Sequence, residues 1–81
     1  MDVKLSKQAL KYVDAQDRPT RDRLKQSFVG LSKDPPVGDI APLINHPPFL
    51  RLRVGDFRVI FFEDGNTIRV VNVSPRGQAY K

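Results

Sequence analysis

The chain of 81 residues has no cysteine, no tryptophan, a single histidine and a single methionine. Without cysteine there is no disulfide and no thiolate-held metal, so a modest apolar core must carry the fold. It also agrees with a reducing, cytoplasmic setting. One histidine cannot build the usual zinc ligand set, and no His/Asp/Glu spacing offers another, so neither a metal nor any other cofactor is expected. His46 itself lies in a loop between Asn45 and Pro47 and reads as a surface residue rather than a general base. No apolar run approaches the length of a membrane span. Met1-Asp2-Val3-Lys4 leads straight into patterned sequence, with no sign of a signal peptide, and no membrane partner is expected. A glycine-rich phosphate loop and a Ser-His-Asp set are missing too.

What is present is positive charge. The formal net charge is +5 and the sequence pI about 10.0, which favours an anionic partner, either nucleic acid or an acidic protein. The length suits one small domain over 1–81.

The most strongly patterned stretch is Leu50 to Phe62. Leu50, Leu52 and Val54 alternate with Arg51 and Arg53, the period of a half-buried strand. Gly55-Asp56 supplies a two-residue turn of type II′, and Phe57 to Phe62 is β-branched and aromatic apart from Arg58. Such a turn sets Val54 against Phe57, Arg53 against Arg58, Leu52 against Val59, Arg51 against Ile60 and Leu50 against Phe61. The apolar set then shares one face, and Arg51, Arg53 and Arg58 share the other. Like charges directly across a strand pair repel. Two readings stay open: a solvated face, or a phosphate-binding surface, since guanidinium forks match phosphate oxygens. In either case, removing Arg58 should leave stability unchanged or slightly raised.

In chain order, Met1 to Leu5 reads as a strand with Val3 and Leu5 on one face. Ser6 caps a helix through Gln16 whose stripe is Ala9, Leu10 and Val13. Asp17-Arg18-Pro19 breaks it and starts a second helix, Pro19 to Lys33, with Leu24, Phe28 and Leu31 inward. The short break implies an αα-hairpin. From Asp34 to Pro48 the chain holds Pro35, Pro36, Pro42, Pro47 and Pro48, five of its seven prolines, and reads as a loop with a turn at Ile40 to Ile44. After the hairpin, Asp64-Gly65-Asn66 signals another turn, and Thr67 to Val73 a last strand. An even loop would bury Ile68 and Val70; an odd loop or bulge would bury Val71 and Val73. Ser74-Pro75-Arg76-Gly77 stops that strand and Gln78 to Lys81 is a tail. The fold class is α+β, in the order β-α-α-β-β-β, a two-helix hairpin on one face of a small, mainly antiparallel sheet.

With these segments in place, the sequence resembles the RelE/ParE superfamily of toxins from type II toxin–antitoxin modules, and more closely the RelE branch. SKQALKYV in the first helix, RDRLKQSFVGLSKDPPVGDI, FLRLRVGDFRVIF and the terminal PRGQAYK carry the resemblance, which covers nearly the whole chain. The resemblance implies a ribosome-dependent endoribonuclease, an mRNA interferase that inhibits translation by cutting mRNA on the ribosome. The ribose 2′-hydroxyl attacks the adjacent phosphate without metal, and a cognate antitoxin blocks the toxin. It implies catalytic roles for Arg51, Arg53, Arg58, Arg76 and Tyr80, with the four arginines also binding RNA. Arg76 could equally be a solvated terminal charge. Tyr80 could stack on a base, assist proton transfer or plug the sheet.

The chain departs from the family pattern at three places. Better-known active members carry Lys at one or both of the positions held by Arg51 and Arg53, and Arg does not give up its proton. Phe57 stands where Tyr is more usual. The loop Ala41 to Pro48 lacks the lysines often found there. Two rival readings follow: a ParE-like inhibitor of DNA gyrase, and a catalytically weak relative serving as an antitoxin-binding module.

Overall fold

The computed structural model describes residues 1–76. Along it run β1 (Asp2–Leu5), α1 (Lys7–Asp14), α2 (Arg18–Leu31), β2 (Asp39–Pro42), β3 (Leu50–Val54), β4 (Phe57–Asp64) and β5 (Thr67–Pro75). The strands form one sheet in the order β1-β5-β4-β3-β2, antiparallel except where β1 lies parallel to β5. Both helices pack on the same face. Ala9, Val13, Leu24, Phe28 and Leu31 meet Leu52, Val54, Val59, Phe61, Ile68, Val70 and Val73 in one core. This is the expected α+β architecture, with one strand more than the sequence pattern indicated.

The extra strand, β2, comes from the proline-rich segment read as a loop. Asp39 to Pro42 pairs with β3 alone, Asp39 against Arg53 and Ala41 against Arg51. Proline cannot donate to a ladder, so Pro42 is tolerated because this strand is an edge and ends there. A short edge with a proline also resists pairing with another chain.

The β3–β4 hairpin has the register that its turn dictates, from Val54↔Phe57 to Leu50↔Phe61. Gly55 takes φ +57°, the left-handed conformation a type II′ turn needs at its first central residue. In β5 the even alternative holds in full, and of the odd one only Val73 is buried. The Gly65-Asn66 loop is even, so Ile68 and Val70 are buried; the ladder then shifts between Ile60 and Phe61, leaving Val71 as the extra residue, and Val73 returns to the core.

The four residues of β1 cover only the first part of the outer edge of β5. Ser6 and the start of α1 cover it onward as far as Val73. Ser6 N donates to Val70 O at 2.8 Å and Ser6 Oγ to Val71 O at 2.9 Å. The Gln8 amide closes a ring with Val73, donating to its carbonyl at 3.0 Å and accepting from its N–H at 3.1 Å. Ser6 Oγ also accepts from Ala9 N at 3.1 Å, as an N-cap. One hydroxyl thus starts the helix and seals the sheet edge.

Helix lengths differ modestly from expectation. α1 ends at Asp14 rather than Gln16, and α2 starts at Arg18, capped by Asp17, and ends at Leu31. Leu10 is not part of the buried stripe: it is 52 % exposed. The stripe of this short helix is centred on Ala9 and Val13, and Tyr12 flanks it, its ring 6.2 Å from that of Phe57 and edge-on at 69°.

Candidate functional site

Leu52 and Val54 point into the core, so Arg51 and Arg53 stand on the face away from the helices. By the same alternation Arg58, Ile60 and Phe62 of β4 share that face, as do Asp39 and Ala41 of β2. The hairpin register therefore brings Arg51, Arg53 and Arg58 together, as the sequence implied. Their environments are unequal.

Arg53 is exposed, with Asp39 opposite it on one side and Arg58 on the other. Arg51 is tied to the edge strand. Its Nη1 lies 3.6 Å from Asp39 Oδ1 and donates to the Asp39 carbonyl at 3.2 Å, and its side chain is only 15 % exposed. Arg58 is buried, at 8 % exposure, with Nε and Nη1 shielded from solvent. Of the two readings left open for this face, the freely solvated one therefore does not apply to Arg58, and its burial adds a packing contribution that like-charge repulsion alone leaves out. A guanidinium cannot neutralise itself by losing a proton, so it is buried only in a polar setting.

Arg76 joins the same hairpin from the chain's other end. Its backbone N–H donates to Asp56 O at 2.7 Å and its Nη1 to Gly55 O at 3.4 Å, so the side chain lies against the β3–β4 turn. Tyr80 lies outside the described residues, so its predicted role has no structural counterpart. Phe57, where the family more often has Tyr, belongs to the core side against Tyr12, so a hydroxyl there would sit on the side of the sheet away from the arginines. Burial raises the Tyr12 pKa, and this phenol too is on the helix side. His46 is exposed in its loop, as expected.

Three features near the site were not singled out from the sequence. Asp39 is the counterion of Arg51, visible only once β2 is known. Arg23 of α2 reaches the hairpin turn, its Nη1 2.6 Å from where a Cβ on Gly55 would stand. Phe49 and Phe62 form an edge-to-face pair, ring centroids 5.5 Å apart at 84°. Strand parity could have found this last pair, since Phe49 precedes Arg51 by two positions.

Chemically, such a face can grip a phosphate and stabilise charge on its oxygens. Guanidiniums do not serve as a general base at neutral pH. Among the described residues no group of His, Cys, Asp or Glu could hold a metal ion. No helix among them is long and apolar enough to cross a membrane.

A family model described as "ParE toxin of type II toxin-antitoxin system, parDE" matches residues 3–80. The chain belongs to this toxin family. Solved structures place the toxin in the wider RelE/ParE superfamily. A chain of the archaeal RelE–RelB complex from Pyrococcus horikoshii superposes with a TM-score of 0.76 at 26 % identity, covering 95 % of the toxin and 96 % of that chain. A chain of the RelB–RelE antitoxin–toxin complex from Methanococcus jannaschii gives 0.74 at 22 %, covering 94 % and 93 %. The isolated RelE toxin of E. coli gives 0.76 at 18 %, covering 98 % and 89 %. The last two speak for the shared fold. A search of curated proteins finds no sequence match.

Proposed function

We propose that the toxin is a metal-independent endoribonuclease that cuts mRNA on the ribosome and is silenced by a cognate antitoxin. The observation that carries this reading is the convergence of Arg51, Arg53, Arg58 and Arg76 on one hairpin, three through its register and the fourth through its turn. In the reaction the ribose 2′-oxygen attacks the adjacent phosphorus and the bond to the 5′-oxygen breaks. A cyclic phosphate and a free 5′-hydroxyl result. The 2′ proton passes to a base and the leaving oxygen gains one.

Arg53, exposed at the centre, meets the scissile phosphate. Arg51 exchanges Asp39 for a phosphate oxygen, an exchange made cheap because the Asp39 carboxylate is largely exposed and stands 3.6 Å away. Buried Arg58 supplies fixed positive charge beneath them, where preorganised charge stabilises a transition state without reorganising. Arg76 closes the site from the hairpin turn, and Tyr80, which the resemblance implies, is the remaining candidate for proton transfer. The RelE–RelB complexes among the structural neighbours support an antitoxin partner here. An acidic, partly disordered arm suits the basic face.

The matching family description favours a second reading, a ParE-like inhibitor of DNA gyrase. Inducing the chain alone, then following translation, mRNA ends and gyrase supercoiling, separates the two. New mRNA ends with intact supercoiling support the nuclease. Loss of supercoiling without cleavage supports gyrase inhibition, and silence in both leaves an antitoxin-binding module. Purified toxin should also bind single-stranded RNA with a log–log salt slope of about −0.7 per phosphate contact. An affinity flat in salt would remove the arginine face from the reading.

A further inference from the structure

On the face that carries the arginines, the row in β3 continues backward to Phe49 and the row in β4 forward to Phe62. The two rings meet edge to face at 5.5 Å, both are half-buried, and neither belongs to the core cluster on the helix side. Phe49 also lines a surface groove of about 380 Å³ whose walls include Pro42, Leu43, Ile44 and Pro48. Ile44 at its rim is 81 % exposed. An aromatic pair and an apolar groove thus adjoin a row of guanidiniums, with Phe49 two strand positions, about 7 Å, from Arg51.

We infer that Phe49 and Phe62 form a base-stacking platform for single-stranded RNA, seating one unpaired base beside the phosphate held by the arginines. Charge decides the occupant. The chain carries a net charge of +5, and the phenylalanine pair shares its face of the sheet with Arg51 and Arg53, so a ligand that spans both is planar and apolar at one end and anionic at the other. An unstacked nucleotide has that form, and aromatic platforms beside basic tracks are how sequence-tolerant single-strand binders hold it. Because every base offers a π-face, the platform sets position along the strand rather than sequence.

This inference rests on the RNA reading above, and its test keeps the two apart. The full chain is titrated with a 2′-O-methylated oligoribonucleotide, which cannot be cut, and with an abasic oligomer of equal phosphate number. Phe49→Ala and Phe62→Ala should each weaken the base-bearing oligomer about five- to hundred-fold and leave the abasic one unchanged. Arg53→Ala should weaken both alike. Since the chain has no tryptophan, Phe49→Trp introduces a single, selectively excited indole that keeps an aromatic plate if either alanine variant fails to fold. Its emission should be quenched by the base-bearing oligomer and not by the abasic one. If the phenylalanine changes affect both oligomers equally or neither, while Arg53→Ala still acts, the platform is wrong and the RNA reading stands. If RNA leaves the tryptophan unquenched but the antitoxin shifts it, the surface belongs to a protein partner and the platform is overturned. If the wild-type toxin binds neither oligomer, the RNA reading falls and the platform with it.

Discussion

Arg53 and Arg58 stand directly opposite each other across the β3–β4 ladder, and only Arg53 faces solvent. The pairing alone predicts that removing either guanidinium relieves repulsion. Burial breaks that symmetry. Arg58→Ala deletes a stem packed at 8 % exposure and disturbs the polar setting around its head, and should cost about 1–3 kcal/mol. Arg53→Ala removes an exposed side chain and should stay within about 0.5 kcal/mol of wild type. Both should abolish toxicity under the proposed function. Urea unfolding of the two variants gives the comparison, and equal stabilities would mean that the burial of Arg58 has no energetic weight.

Ser6 combines two tasks in one hydroxyl, accepting from Ala9 N and donating to Val71 O. Loss of an N-cap costs about 1 kcal/mol, and an orphaned carbonyl adds to it. Ser6→Ala should therefore destabilise by about 1–3 kcal/mol. Amide exchange should rise at Ala9 in α1. Asp17→Ala, which removes only a cap, should leave the sheet edge unchanged in the same measurement.

Gly30 gives a case where local propensity and tertiary contact have opposite signs. It lies inside α2, where Gly→Ala is ordinarily stabilising by about 1 kcal/mol. A Cβ at Gly30 would stand 2.6 Å from the backbone oxygen of Val37, whose N–H in turn bonds Gly30 O at 2.9 Å. Backbone held on both sides cannot move aside as a side chain can. Gly30→Ala should lower the melting temperature, and a higher one would show that the segment after α2 yields freely.

Asp17 makes the start of α2 sensitive to acid. Hydrogen bonds from the Thr20 side chain and then its backbone N–H hold the Asp17 pKa below the ordinary carboxylate value. A carboxyl lowered on folding stabilises the fold above its unfolded pKa, and that contribution is lost as pH falls through the lower, folded value. Asp17→Asn keeps an acceptor at the cap without the titration. The variant should show a shallower fall in stability below the usual aspartate range, read from melting temperatures across acidic pH, and identical slopes would count against the cap.

The hairpin was legible in the sequence because its determinants are local. Alternation from Leu50 to Val54, a glycine able to take positive φ and a β-branched, aromatic return strand leave one register in which the apolar residues share a face. Ser6 as a cap, and Asp17-Arg18-Pro19 as a break, likewise marked the helix starts to within a residue, since such signals act within one turn. The grouping of Arg51, Arg53 and Arg58 followed from that register. Tertiary structure decided what depends on partners distant in the chain. Asp39 to Pro42 becomes a strand only because β3 offers it a free edge, and with that edge Asp39 becomes the counterion of Arg51. The bulge at Val71 settled the facing of β5, allowing Val70 and Val73 both to reach the core although their spacing is odd. Burial separated Arg58 from Arg53, two residues that alternation treats alike, because periodicity tells which face a side chain takes and not what lies over that face.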